Sequence, residues 1–257
     1  MSRAKRHYIP NGRYVWHITH RCHKKEFLLK FSKDKLAWIK WLYRAKRAYH
    51  LRILDYVITS NHIHLLVLDD APPGMIAKAM HLIAGATAQQ YNRRKKRCGS
   101  FWQDRYHATA VDYGQYLRRC LAYIDLNAVR AGIVQHPDSW PYGGYAEIMQ
   151  KKTRYRLIDE DELKTLLGMN SSAQHLRLRR EWVEERMRQS EMLKREAIWT
   201  ESVAAGSREF TEKLKSELGA KGIGKIIDEQ EGVFELRENA PSYFRVEKRS
   251  LRHQKGS

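Results

Sequence analysis

Residues 51–70 read LRILDYVITSNHIHLLVLDD, two apolar runs rich in Leu, Ile and Val that are separated by Ser60 and Asn61. Runs of this length bounded by turn-forming residues read as neighbouring buried strands, so the chain must build further layers around them. Two histidines interrupt the second run. Strand alternation puts His62 and His64 on one face, roughly 7 Å apart at Cα, and Ile63 and Leu65 on the other. A buried imidazole needs partners for two ring nitrogens. Two imidazoles on one face are spaced to converge on a single ion.

The flanking segments supply the remaining layers. RYVWHITH (13–20) reads as an earlier strand, and FSKDKLAWIKWLYRAKRAYH (31–50) has helical recurrence. A second helix is expected from Met75 to Lys96, followed by a strand over HATAVD (107–112). The order is β-α-β-β-α-β, the ferredoxin-like arrangement of an α+β fold, in which the first and third strands form the central pair. The two histidines would then sit on a rigid mid-sheet platform. A further helix is expected over 113–134, with Leu117, Leu121, Ile124 and Ala128 as its apolar stripe. Beyond residue 150 the pattern turns charged: LIDEDELKTLLG, HLRLRREWVEERMRQSEMLKREAIW and GSREFTEKLKSELG all read as helices. The expected organisation is one domain over 1–150 and a helical C-terminal extension over 151–257.

Charge narrows the partner. Lys and Arg number 48 against 29 Asp and Glu, for a formal net charge of +19. Residues 1–150 hold 25 of those cations and only 10 of the acids, so the excess sits in the first part. Such an imbalance calls for a polyanion. No apolar stretch is long enough to span a bilayer and MSRAKRHYIPNGR has no apolar signal core, so nucleic acid is expected and membrane is not. Cys22, Cys98 and Cys120 form no C-x-x-C pair, which suits a reducing cytoplasm and argues against a cysteine zinc site.

Two histidines alone hold a metal poorly. Tyr123 and Asn127, at i and i+4, share one helical face, and Asn offers a hard carbonyl oxygen. Two imidazoles, one amide oxygen and open positions suit Mg²⁺ or Mn²⁺ bound to a substrate phosphate, although raw affinity order favours later transition metals. Tyr123, one turn from Asn127, is placed to reach the phosphorus. Tyr113 and Tyr116 are its rivals on the same helix, but neither is followed four residues on by Asn, Gln or His.

NHIHLLV (61–67), YNRRKKRCGSFWQDRYHATAV (91–111) and AYIDLNAVRAGIV (122–134) occur in the order found in single-tyrosine transposases of the His-hydrophobic-His (HUH) type. Over roughly residues 7–145 the chain resembles the REP-associated tyrosine transposases. That resemblance implies an HUH endonuclease palm with an added tyrosine-bearing helix. It implies Tyr123 as nucleophile, and His62, His64 and Asn127 as ligands of Mg²⁺ or Mn²⁺. The substrate implied is single-stranded or hairpin DNA carrying REP-like elements, cut through a 5′-phosphotyrosine. Asp125 and Ala128 stand where the family often has His and Pro, and neither falls on the Tyr123 face. DNA contacts are expected from Arg3, Lys5, Arg6 and Arg13 at the N-terminus. Further contacts are expected from Arg93, Arg94, Lys95, Lys96 and Arg97, with Phe101, Trp102 and Arg105 beside them. The expected location is the bacterial cytoplasm, on the nucleoid. A monomer is favoured over a dimer that exchanges the tyrosine helix.

Blander readings compete. A lone His-x-His in a strand is more often structural, a tyrosine is usually a packing residue, and a run such as RRKKR often only solvates a helix end. His17 and His20, three apart, fall on opposite strand faces and are not read as joint ligands; His107 has no assigned role. A ferredoxin-like RNA-binding module would carry an aromatic RNP signature, which is missing. A barrel hydrolase would need ligands after successive strands, and this element order does not build a barrel. A catalytically retired hairpin-binding regulator would not need the four site residues, all of which are present.

Overall fold

The computed structural model describes residues 12–150, 155–189 and 195–239. Arg3, Lys5 and Arg6 lie outside these residues. The expected first half is present in order: β1 (Tyr14–Arg21), α1 (Ser32–Tyr49), β2 (Arg52–Ile58), β3 (His62–Asp69), α2 (Met75–Lys95) and β4 (His107–Val111). β1 lies between β3 and β4 and pairs antiparallel with both, which sets Thr19 opposite His64 and Arg21 opposite His62. The hydrophobic runs specify this register, because a slip of one residue would turn the Val, Ile and Leu face away from the core. Ile18, Ile53, Ile63 and Leu65 have no exposed surface.

The tyrosine helix is stepped rather than continuous. α3 (Gln115–Asp125) ends at Leu126, and α4 (Asn127–Arg130) resumes one residue later. After it come α5 (Gly144–Met149), α6 (Glu160–Leu166) and α7 (Ser172–Arg188). The segment expected to be one long helix to Trp199 instead gives α7 and a separate short α8 (Ile198–Glu201).

The helical reading of 151–257 is corrected here. β5 (Ala204–Gly206), α9 (Arg208–Glu217), β6 (Lys225–Gln230) and β7 (Val233–Glu238) follow, and the three strands enlarge the sheet to seven in the order β2-β3-β1-β4-β5-β7-β6. β5 runs parallel to β4, and β7 joins it to β6 through a hairpin. Glu231 and Gly232 both take positive φ (52° and 73°) at that turn, the geometry that matches strand twist. These strands were hidden because Asp228, Glu229, Glu235 and Arg237 break the apolar alternation on which a strand reading depends. Residues on both sides of position 150 thus share one sheet and one buried cluster, from Val15 to Leu236.

Candidate metal and phosphoryl-transfer site

β3 and the α3–α4 step bring the four predicted residues to one cleft. Its volume is ≈ 450 Å³, and His62, His64, Tyr123 and Asn127 are in its wall. The ring centroids of His64 and Tyr123 are 5.8 Å apart. Asn127 bridges the histidines: its Oδ1 is 3.0 Å from His62 Nε2, and its Nδ2 is 2.8 Å from His64 Nε2.

The protons around this bridge follow from the hydrogen bonds. Asn61 Nδ2 donates to the Lys25 carbonyl, which aims Asn61 Oδ1 at His62 Nδ1, 2.7 Å away. His62 must therefore carry its proton on Nδ1 and present a bare lone pair at Nε2. His64 is set by a longer chain. The Trp199 carbonyl accepts from His17 Nδ1 at 2.7 Å, so the other nitrogen of His17 accepts from His64 Nδ1 at 2.8 Å. His64 then also presents a bare Nε2. Two imidazole lone pairs thus face an amide that can donate to only one of them, and turning the amide over moves the conflict to the other histidine. Replacing that contact with a divalent cation satisfies all three donors, the two nitrogens and Oδ1. Among the described residues no three His, Cys, Asp or Glu side chains form a metal-holding group.

Burial keeps these imidazoles neutral. It pushes His62 down to about 4, helped by Arg21, and His17 down to about 3. His64 is driven well below the usual histidine range by burial, with His17 and His62 adding to the effect. Neutral imidazole is the metal-binding form. Tyr123 is pushed the other way: burial raises its phenol, while the positive charges of Arg130 and Arg195 oppose the rise. The Arg130 guanidinium lies 3.9 Å above the centre of its ring.

Other predicted contacts divide. Arg105 lines the cleft beside Gln103 and Asp104. Trp102 stacks on His20, with centroids 4.1 Å apart, and donates its indole N–H to the Ala84 carbonyl. Phe101 is a correction: only 2% exposed, it packs against Tyr91 in the core and offers no face to a base. Arg93 to Arg97 close α2 away from the cleft wall, where Arg94 pairs with Asp34 and Arg97 approaches Glu26 at 3.7 Å. Arg13 pairs with Glu162.

Residues 12–127 match the family model described as transposase IS200 like. This stretch, a little under half of the chain, is similar to the IS200-like transposases. It contains His62, His64, Tyr123 and Asn127. No curated protein matches the chain. Among solved structures, one described as a REP-associated tyrosine transposase bound to a REP hairpin is 19% identical, with TM-score 0.47, covering 60% of this chain and 90% of its own. A candidate transposase from Deinococcus radiodurans R1 is 16% identical, with TM-score 0.34, covering 52% and 94%. Both TM-scores fall below 0.5.

Several residues of the site escaped the sequence reading, His17 and Arg130 among them. His17 orients His64 across the β1–β3 pair, a contact visible only once the strands are paired. Arg130 had a local signal, since it stands seven residues after Tyr123 and three after Asn127, on the same helical stripe. Among the described residues no helix is long and apolar enough to cross a membrane.

Proposed function

We propose that this protein is a metal-assisted, single-stranded DNA endonuclease and strand transferase of the REP-associated type, with Tyr123 as its nucleophile. The observation that carries the reading is the convergence of His62 Nε2, His64 Nε2 and Asn127 Oδ1 beside a tyrosine in one cleft. A Mg²⁺ or Mn²⁺ ion held by those three atoms supplies Lewis-acid polarisation of a phosphate oxygen when bound. The chain's own residues do the rest. Asn61 and His17 hold the imidazoles so that their lone pairs face the phosphate. Arg130 and Arg195 favour the phenolate of Tyr123 against the burial that opposes it.

The Tyr123 oxygen forms a bond to phosphorus as the bond to the 3′-oxygen breaks. The phenol proton leaves to water in the open cleft, and the departing oxygen takes one up as a free 3′-hydroxyl. The 5′-phosphotyrosine conserves the phosphodiester, so attack by another 3′-hydroxyl rejoins DNA. Hairpins of REP type beside a short single strand are the substrate class, and the basic first half of the chain is the surface that holds them. The protein acts as a monomer in the cytoplasm.

The test is a denaturing gel after incubation with Mn²⁺ and end-labelled single strands bearing REP-like hairpins. The expected result is an SDS-resistant adduct that disappears with chelator and in Tyr123→Phe. An adduct that survives Tyr123→Phe refutes the assigned nucleophile. Tight hairpin binding with no adduct across a hairpin library favours a retired regulator instead.

A further inference from the structure

Two arginine side chains of the fold sit in very different company. Arg179, fully buried, meets the carboxylates of Asp55 and Asp125 at 2.7 and 2.8 Å. Arg130 lines the cleft, yet its Nη1 and Nη2 are both buried and, among the described residues, have no hydrogen-bond partner beyond their contact with Tyr123. The nearby acid Glu196 is engaged elsewhere: Oε1 accepts from Arg186 at 2.8 Å, and Oε2 accepts from the Trp199 indole at 2.9 Å. A second cleft arginine, Arg195, is bound to Glu201 and Thr200. A guanidinium with unanswered donors in a desolvated place is costly, and such a group marks a missing anion or water.

Its position says which anion. Tyr123, Asn127 and Arg130 stand at 0, +4 and +7 along the stepped helix. The guanidinium lies over the nucleophile's ring, and the three side chains line one cleft. An oxyanion approached by Tyr123 comes within the fork of Arg130, and phosphate geometry matches that fork.

We propose that Arg130 is a catalytic residue that takes the non-bridging oxygens of the scissile phosphodiester in its guanidinium fork. The proposal rests on the phosphoryl-transfer reading given above. As the bond from Tyr123 to phosphorus forms and the bond to the 3′-oxygen breaks, charge moves onto those oxygens, and Arg130 meets it while keeping its own protons. Before attack the same cation steadies the phenolate. A packing role alone would require only the contact with the Tyr123 ring.

The experiment compares wild type with Arg130→Gln and Arg130→Lys, both melted first to show that they fold. Adduct formation is expected to slow about 10²–10⁴-fold in Arg130→Gln, the range for loss of a transition-state donor or arginine finger. Arg130→Lys is expected to recover part of that loss. Mn²⁺ affinity should stay within threefold of wild type in both. Sulfur at one non-bridging oxygen of the scissile phosphate should slow wild type, and this effect should shrink in Arg130→Gln. A rate within threefold of wild type with an unchanged sulfur effect overturns the proposal. Binding of uncut single strand to Tyr123→Phe, with and without Arg130→Gln, gives a readout that needs no cleavage: the salt slope should fall by about 0.7, one phosphate contact. If wild type forms no adduct on any DNA, the phosphoryl-transfer reading fails. An unchanged salt slope would then overturn the Arg130 assignment as well, and a reduced slope would keep it as a phosphate-binding residue.

Discussion

Replacing Arg179 with Met tests how the C-terminal half holds the tyrosine helix. Arg179 of α7 donates Nε and Nη2 to Asp125 at 2.9 and 2.8 Å, and Nη2 also to Asp55 of β2 at 2.7 Å. The side chains of all three are at most 1% exposed. Burial works against the guanidinium's charge, but Asp125 and Asp55 outweigh it and raise its pKa. Burial raises Asp55 well above the usual carboxylate range, Arg179 opposes the rise, and Asp125 adds to it. Methionine fills most of the volume but leaves two acids with no cation, a loss of about 3–5 kcal/mol for breaking a buried pair. Replacing all three together, Asp55→Asn, Asp125→Asn and Arg179→Met, removes every charge of this cluster and should recover at least about 2 kcal/mol of that loss.

Linkage adds a sign. A carboxyl raised in the folded state binds protons that the unfolded chain releases, so stability falls as pH rises from the ordinary value near ~4 through the raised one. Removing Arg179 raises Asp55 further. The deficit of Arg179→Met should therefore be largest at neutral pH and shrink towards pH ~4. Urea unfolding followed by tryptophan fluorescence at several pH values measures it. A deficit under about 1 kcal/mol, or one that does not change with pH, refutes the buried-pair argument. Because Asp125 lies two residues from both Tyr123 and Asn127, adduct yield should also fall at temperatures where the variant is still folded.

Other perturbations separate the remaining parts. His17→Leu removes the acceptor for His64 Nδ1, and Mn²⁺ affinity by calorimetry should weaken about 10–100-fold, while His17→Gln, which restores an acceptor, should weaken it less. Equal affinity in all three proteins would show that His17 only fills space. His175 is buried and, among the described residues, neither of its ring nitrogens is hydrogen-bonded; burial, with Arg179 and Lys164 adding, lowers it to about 3. Its folded pKa is depressed, so it contributes stability above ~6.5 that is lost as pH falls towards 3, at up to about 1.4 kcal/mol per pH unit. His175→Leu should lose less stability than wild type between pH 7 and 4.5, and parallel losses would show that other groups drive the acid response.

The parts readable in the sequence were those whose signals are local. Apolar runs at 14–21, 51–59 and 62–69 imply strands wherever they are placed, and the spacing from Tyr123 to Asn127 lies within a single turn. The parts that were missed depend on pairings far apart in the chain. The alternation that separates His17 from His20 is sound, yet it says nothing of the neighbouring strand, and only the β1–β3 register brings His17 against His64. Arg179 reads as one charge among many in a basic helix until β2 and α3 each present an acid to it. The site's supports also reach beyond the family match. The family match stops at Asn127, but the carbonyl that orients His17 belongs to Trp199. The Ser202 carbonyl, in turn, accepts from Thr109 at 2.7 Å and lies 3.0 Å from His107 Nε2. β5 then adds to β4 directly beside those residues. Cutting the chain near residue 150 would strip His17 of the acceptor that sets its proton, and through it the lone pair of His64. The C-terminal segment is thus part of the site's proton arrangement.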